Sequence, residues 1–156
     1  MTPTPKLPPR LFVRTVWALH RAVYRVTGGR RGLAPPTPGG MFGYMRLKTI
    51  GRHSGKERIA ILGYCQDGPN LVTLAMNGWA EAEPAWWLNL QAQPEATVDL
   101  KGGTRAVRGR AAEGEERARL WANWHDYRGY GNDLDGYASR RSSTTVVVLE
   151  PSTRHD

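Results

Sequence analysis

The stretch Tyr44–Met76, YMRLKTIGRHSGKERIAILGYCQDGPNLVTLAM, decides the fold. Tyr44–Ile50 and Arg58–Gln66 read as strands, and Gly51–Lys56 between them reads as a turn. Asp67-Gly68-Pro69-Asn70 is a second turn, and it leads into a third strand, Leu71–Met76. Strands joined by such tight turns pair antiparallel, because a parallel pair needs a crossover of a dozen or more residues.

Working outward toward the C-terminus, Pro84 opens a short helix, Ala85–Gln91, as a proline at the first helical position. Glu95–Leu100 and Arg105–Ala112 flank Gly102-Gly103 as a hairpin. Glu113–His125 reads as a helix with acids in its first turn. Tyr127–Ser143 is an irregular loop carrying tyrosines, and Thr144–Leu149 is a buried final strand ended by Pro151. Toward the N-terminus, residues 28–40 are linker-like, with eight of thirteen positions Gly or Pro. Residues 11–27 have helical spacing. Leu11, Phe12, Val16, Leu19, Ala22, Val23 and Val26 share one face, opposite Arg10, Arg14, Arg21 and Arg25. Six short strands and three helices predict an α+β fold whose antiparallel sheet closes into a small barrel. The expected organisation is an amphipathic helix and linker over 1–40 and the barrel over 41–156, in one globular domain.

A chain of 156 residues suits a single domain with a real core. Cys65 is its only cysteine, which excludes a disulfide framework and a zinc site built on several thiolates. His20, His53, His125 and His155 show no metal-ligand spacing, so no metal is expected. The net charge of +8 is unevenly placed: residues 1–58 hold twelve Lys/Arg against Glu57 alone, and the remainder is net acidic. A basic segment of this kind suits nucleic acid, an anionic lipid surface or a phosphorylated or carboxylated cofactor, and it also serves as a solubilising face. The N-terminal helix has two readings, packing on the domain or lying at a membrane interface with its arginines at lipid head groups. No apolar run is long enough to span a membrane and no signal peptide is evident, so a cytoplasmic protein with peripheral membrane contact is the expectation.

Three constellations could carry chemistry. Lys48–Arg58 packs five cationic or potentially cationic side chains, two hydroxyls and two glycines around one turn, the donor set of an anion site. It is not a phosphate loop of the Walker type, since the glycine gap is one short and Glu57 stands at the required Ser/Thr. Trp79, Trp86 and Trp87, with Asn77 and Asn89, can wall a flat aromatic ligand or simply fill core. Trp121, Trp124 and His125 share a helix face, and Tyr127, Tyr130 and Tyr137 follow in a loop that can pack or close over a pocket. No acid–base–nucleophile set is present, so a cofactor is expected to carry the chemistry.

These residues resemble a known family, the actinobacterial deazaflavin-dependent nitroreductases, oxidoreductases that use coenzyme F420 on a split β-barrel related to flavin-nucleotide-binding barrels. The resemblance rests on Thr49–Lys56 with Arg58, Asp67-Gly68, Pro84–Leu90, Pro94-Glu95, Glu113–Arg117 and Val147–Pro151. It implies that Arg52, His53, Ser54 and Arg58 hold the cofactor's phosphate and tail. Ile59, Ala60, Ile61, Leu62 and Gly63 then flank the deazaflavin, and Leu74, Ala75, Met76 and Asn77 meet the ring system. Ala85, Trp86, Trp87, Leu88 and Asn89 complete the cofactor site, and Tyr130 lies by cofactor and substrate as the catalytic candidate. The chain departs from the family at Met76, where a serine is usual, and at Gly78-Trp79, where Gly-Gly is usual.

The expected function is reduction of an electron-poor small molecule, a quinone, nitroarene or conjugated C=C bond, by F420H2. The alternatives are a flavin-nucleotide-binding split-barrel oxidoreductase and a non-catalytic basic module for anionic membrane or nucleic acid. With the cofactor tail accounting for the basic turn, no nucleic acid partner is expected.

Overall fold

The computed structural model describes residues 14–16, 18–19, 32–129 and 133–153. Its six strands are β1 (Gly43–Ile50), β2 (Glu57–Asp67), β3 (Asn70–Ala75), β4 (Glu95–Leu100), β5 (Gly103–Ala111) and β6 (Thr145–Pro151). They close into an antiparallel barrel in the order β1-β2-β3-β6-β5-β4, with β1 returning to pair β4. Among the described residues, helices α1 (Ala85–Ala92), α2 (Gly114–Trp124) and α3 (Leu134–Ala138) flank it.

Alternation builds the barrel wall. Along β1, Met45, Leu47 and Thr49 turn inward while Tyr44, Arg46, Lys48 and Ile50 are half-exposed. β6 is different: Val146–Leu149 are all buried, as in a strand covered on both faces. The β2–β3 turn pairs Asp67 with Asn70 around Gly68-Pro69, and Gly68 at φ 58° supplies the left-handed step of a tight hairpin. Two apolar clusters result. One, inside the barrel under α1, gathers Met45, Leu47, Leu71, Trp87, Leu90 and Leu149. The other, between barrel and α2–α3, gathers Phe42, Leu74, Trp79, Trp124, Tyr127 and Leu134.

The differences from the sequence reading are local. Pro84 is the residue before α1 and not its first, its extended ψ of 143° keeping it outside the helix. Part of the Tyr127–Ser143 loop is helical, because Leu134 inserts into the core. The Gly/Pro segment is not free of the domain: Leu33 is buried and Ala34 pairs with Tyr44. β6 runs through Pro151, which needs no N–H at a strand end. The helix expected over 11–27 is described only at residues 14–16 and 18–19, which are helical. No helix among the described residues is long and apolar enough to cross a membrane.

The barrel is closed but incompletely laddered. β1 pairs β2 over the whole run Glu57–Tyr64, whereas β3 pairs β2 only at Cys65–Asp67. Above Cys65, β3 diverges to follow β6, and the Thr73 hydroxyl donates to the Gly63 carbonyl at 2.8 Å where the strands part. That split opens a groove between the two strands.

Candidate functional site

A groove of about 1620 Å³ opens along the split. Its floor is Ile59–Gly63 of β2, its far wall Thr73 and Leu74 of β3. In an antiparallel strand every second residue turns its N–H and C=O to one edge, so the unladdered half of β2 offers backbone donors and acceptors to whatever lies in the groove. Ile59, an apolar side chain on this open half of β2, is 50% exposed.

One end of the groove is cationic. The β1–β2 turn folds on two backbone bonds, Gly51 N–H to the Lys56 carbonyl and Gly55 N–H to the Gly51 carbonyl, both 2.8 Å. Gly51 leaves room for Ser54, whose Oγ would stand 2.6 Å from a Cβ at that position. Ser54 Oγ accepts from Lys56 N–H at 3.2 Å and from Arg58 Nη2 at 3.3 Å, which leaves its own proton to donate. Asn89 of α1, buried, ties the turn to the barrel. Its side-chain oxygen accepts from Arg52 N–H at 3.1 Å and Arg52 Nη1 at 3.2 Å, and its amide donates to Thr49 Oγ1 at 3.2 Å. Arg52, His53, Ser54 and Arg58 line the groove, and no carboxylate among the described residues pairs with Arg52 or Arg58. Glu57 also reaches the lining. Two guanidinium groups whose charge no carboxylate among the described residues neutralises, a hydroxyl proton and a fixed turn fit a phosphate or carboxylate.

The other end is aromatic. From Arg58 to Gly63 an extended strand advances roughly 16 Å, so the two ends are well separated. There the lining is Met76, Trp79, Trp124, Gly129 and Tyr137, with the Trp79 and Tyr137 rings stacked at 6.1 Å and 16°. Phe42 packs behind both Gly63 and Gly129, where a Cβ would meet its ring at 2.6 Å and 2.2 Å.

Most residues singled out in the sequence converge on this groove: Ile59 to Gly63, Leu74, Met76, Asn77, Ala85, Trp86 and Asn89 line it with the turn residues. Ala75, Trp87 and Leu88 do not. Ala75 and Trp87 point into the barrel core, and Leu88 lies off the lining on α1. Lys48 and Lys56 also stay out of it, Lys48 pairing with Asp99 at 3.3 Å. Tyr130 lies outside the described residues. Trp121 and His125 serve packing, both meeting Asp135, at 2.7 Å and 3.4 Å. Cys65 is fully buried, and burial first, then the Asp67 charge, pushes its thiol up to about 12. Arg14, Thr15 and Ala18 line the groove from the N-terminal helix, which sequence reading did not place there. Their spacing on one helix face was the available signal.

Known proteins resemble this chain in sequence and in fold. The family model for F420H(2)-dependent quinone reductase matches residues 17–151. The F420H(2)-dependent quinone reductase of Mycobacterium tuberculosis is 30% identical over 137 residues, covering 84% of this chain and 86% of that protein. Among solved structures, an F420-H2 dependent reductase superposes with a TM-score of 0.60 at 24% identity, over 69% of this chain and 93% of its own. A protein described as a domain-swapped dimer reaches 0.64 at 22% identity, over 88% and 99%. Both share the barrel.

Proposed function

Because the chain belongs to the F420H(2)-dependent quinone reductase family, and is therefore an oxidoreductase that uses coenzyme F420, we propose that its groove binds that cofactor lengthwise and presents it to a quinone-like acceptor at the aromatic end. The observation that carries the reading is one continuous groove with Arg52 and Arg58, neither paired with a carboxylate among the described residues, at one end and stacked aromatics at the other. When bound, the reduced deazaflavin supplies a hydride. The family does not favour the flavin-nucleotide alternative or a non-catalytic basic module.

The chain's own residues then have distinct tasks. Arg52, Ser54 and Arg58 neutralise and orient the anionic tail, and His53 lies beside them. The open backbone edge of Ile59–Gly63 fixes a planar heterocycle by its polar rim, while Leu74, Met76 and Trp86 exclude water from its faces. Asn77 and Ala85 close the rim. The phenol Oη of Tyr130 is assigned the proton that the reduced acceptor takes up, and it stabilises charge on the acceptor oxygen. Nitroarenes and conjugated C=C bonds are electron-poor in the same sense and belong to the same acceptor class.

The N-terminal helix contributes a finer part of the proposal, contact with anionic membrane. Arg14, Thr15 and Ala18 face the groove, yet Val16 and Leu19 are 48% and 65% exposed on the other side. Outward apolar side chains suit a lipid interface, from which an apolar acceptor can reach the groove. Arg10, Arg21 and Arg25 lie outside the described residues.

Titration with F420 and with flavin mononucleotide, followed by tryptophan quenching, tests the core reading. F420 should saturate at much the lower concentration, and Arg52→Ala and Arg58→Ala should each weaken it by about 1.5–3 kcal/mol. Equal affinities would refute the preference for the deazaflavin, and two neutral mutants would place the anion elsewhere. Co-sedimentation with phosphatidylglycerol vesicles, lost in a Val16→Asp/Leu19→Asp double variant that still binds F420, tests the membrane contact. Undiminished sedimentation of that variant would refute it.

A further inference from the structure

Trp79 is the one described residue other than glycine whose backbone lies in the left-handed region, at φ 61°. That conformation is disfavoured for a bulky residue because Cβ crowds the following carbonyl, and it persists only where the surroundings over-determine it. Here they do. Asn77 and Ala80 close a bridge across the turn, Ala80 N–H donating to the Asn77 carbonyl at 3.0 Å. Arg141, buried, grips the segment Ala80–Glu83: it donates to the Ala80 carbonyl, to the Ala82 carbonyl at 3.1 Å and to Glu83 at 2.8 Å. The Ser142 N–H donates to the exposed Glu81 carboxylate at 3.0 Å, a second tie between the same loops.

The left-handed step has one visible effect. It keeps the indole in the groove wall, 5% exposed and stacked on Tyr137. A glycine would meet the backbone requirement without strain, as Gly78 does one residue earlier at φ 57°. What the strained position retains is therefore the ring. Tyr137 is held independently, on α3, whose Leu134 is anchored in the core.

We propose that Trp79 is the specificity-determining residue of the acceptor end, forming with Tyr137 a rigid flat wall that selects planar fused-ring acceptors over those with bulky out-of-plane groups. The proposal rests on the reading of the groove as the acceptor site. The partly buried Tyr137 ring, stacked on the buried indole and so fixed in position, offers a π face at little ordering cost, and a planar ring keeps van der Waals contact over its whole area. A tert-butyl group standing out of the ring plane breaks that contact.

The test separates binding from turnover. Equilibrium dialysis of 2-methyl-1,4-naphthoquinone against protein loaded with oxidised F420 gives acceptor affinity with no reaction. Trp79→Phe should stay within about threefold of wild type, while Trp79→Gly should lose about tenfold or more, the scale of removing a central aromatic anchor. 2,5-Di-tert-butyl-1,4-benzoquinone should bind Trp79→Gly at least as well as wild type. Unchanged naphthoquinone affinity in Trp79→Gly, or no binding by wild type, overturns the proposal. Should Trp79→Gly fail to fold, Tyr137→Leu decides: a loss of naphthoquinone affinity supports the wall and an unchanged one refutes it. Stopped-flow oxidation of F420H2 by the same quinone keeps the two readings apart. Binding without hydride transfer defeats the acceptor assignment and leaves the wall standing, whereas normal transfer with unaltered Trp79→Gly affinity defeats the wall alone.

Discussion

Replacing Asn89 with alanine removes three hydrogen bonds at once, two from Arg52 and one to Thr49. Asn89 and Thr49 are 4% and 1% exposed, so water cannot repair the loss at Thr49 Oγ1, whereas the exposed Arg52 is resolvated. Counting about 0.5–1.5 kcal/mol for each bond and up to about 1–3 kcal/mol for a stranded buried group, with relief at Arg52, gives a destabilisation of roughly 2–3 kcal/mol. In a domain of this size each kcal/mol moves Tm by about 2–4 °C, so a fall of about 5–10 °C is expected. The second effect is local. The turn that carries Arg52 and Ser54 loses its tether to α1, and F420 affinity should fall about tenfold, equivalent to roughly 1.4 kcal/mol. Asn89→Asp is the informative companion. It keeps the acceptor for Arg52, deletes the donor to Thr49 and sets a carboxylate beside the cofactor's anion, so its F420 affinity should be the lower of the two. Circular-dichroism melts and F420 titrations of both variants give the numbers. An Asn89→Ala protein within about 0.5 kcal/mol of wild type and with unaltered F420 affinity would refute the reasoning, showing that the turn's own bonds hold it.

Arg141→Ala should cost about 2–4 kcal/mol in urea unfolding, because it strands Glu83 and two loop carbonyls, and Arg141→Lys should rescue little of it since an ammonium cannot span three acceptors. Cys65 should resist alkylation by iodoacetamide in the folded protein at neutral pH, and full labelling without unfolding would contradict its burial. Its raised pKa also fixes a sign: an unfolded chain loses that proton near pH 9 while the folded one keeps it to about 12, so stability declines as pH rises across that window, and Cys65→Ala should flatten the decline in alkaline melts. Tyr130→Phe should slow single-turnover oxidation of F420H2 by a quinone roughly 10²-fold with little change in F420 affinity; an unimpaired variant would leave the proton to solvent.

The strands were legible because their patterning and turn chemistry act locally. Glu95–Leu100 emerges with the expected bounds, and the others shift by a residue or two at their ends. The basic turn was legible because glycines, hydroxyls and cations crowd one short segment. Three features were not. Lys48 counted among the anion donors until the β1–β4 pairing set Asp99 beside it, a contact between residues far apart in the chain. Trp87 looked equivalent to Trp86, and only the docking of α1 turns one into the core and the other to the groove. The parting of β2 from β3 has no residue-level signature at all, since it depends on β3 following β6.

That parting also bears on how the protein behaves in a crowded solution. A half-strand with open hydrogen-bonding groups and an exposed isoleucine is a template on which a strand from another chain can add. The flanking turn answers this: Arg52, Lys56 and Arg58 stand exposed at the end of the open edge, and two copies brought edge to edge would oppose like charge. The groove proposed to receive the cofactor is thus guarded by the same cations that would attract it, and colloidal stability of the ligand-free protein should erode at high salt, where that guard is screened.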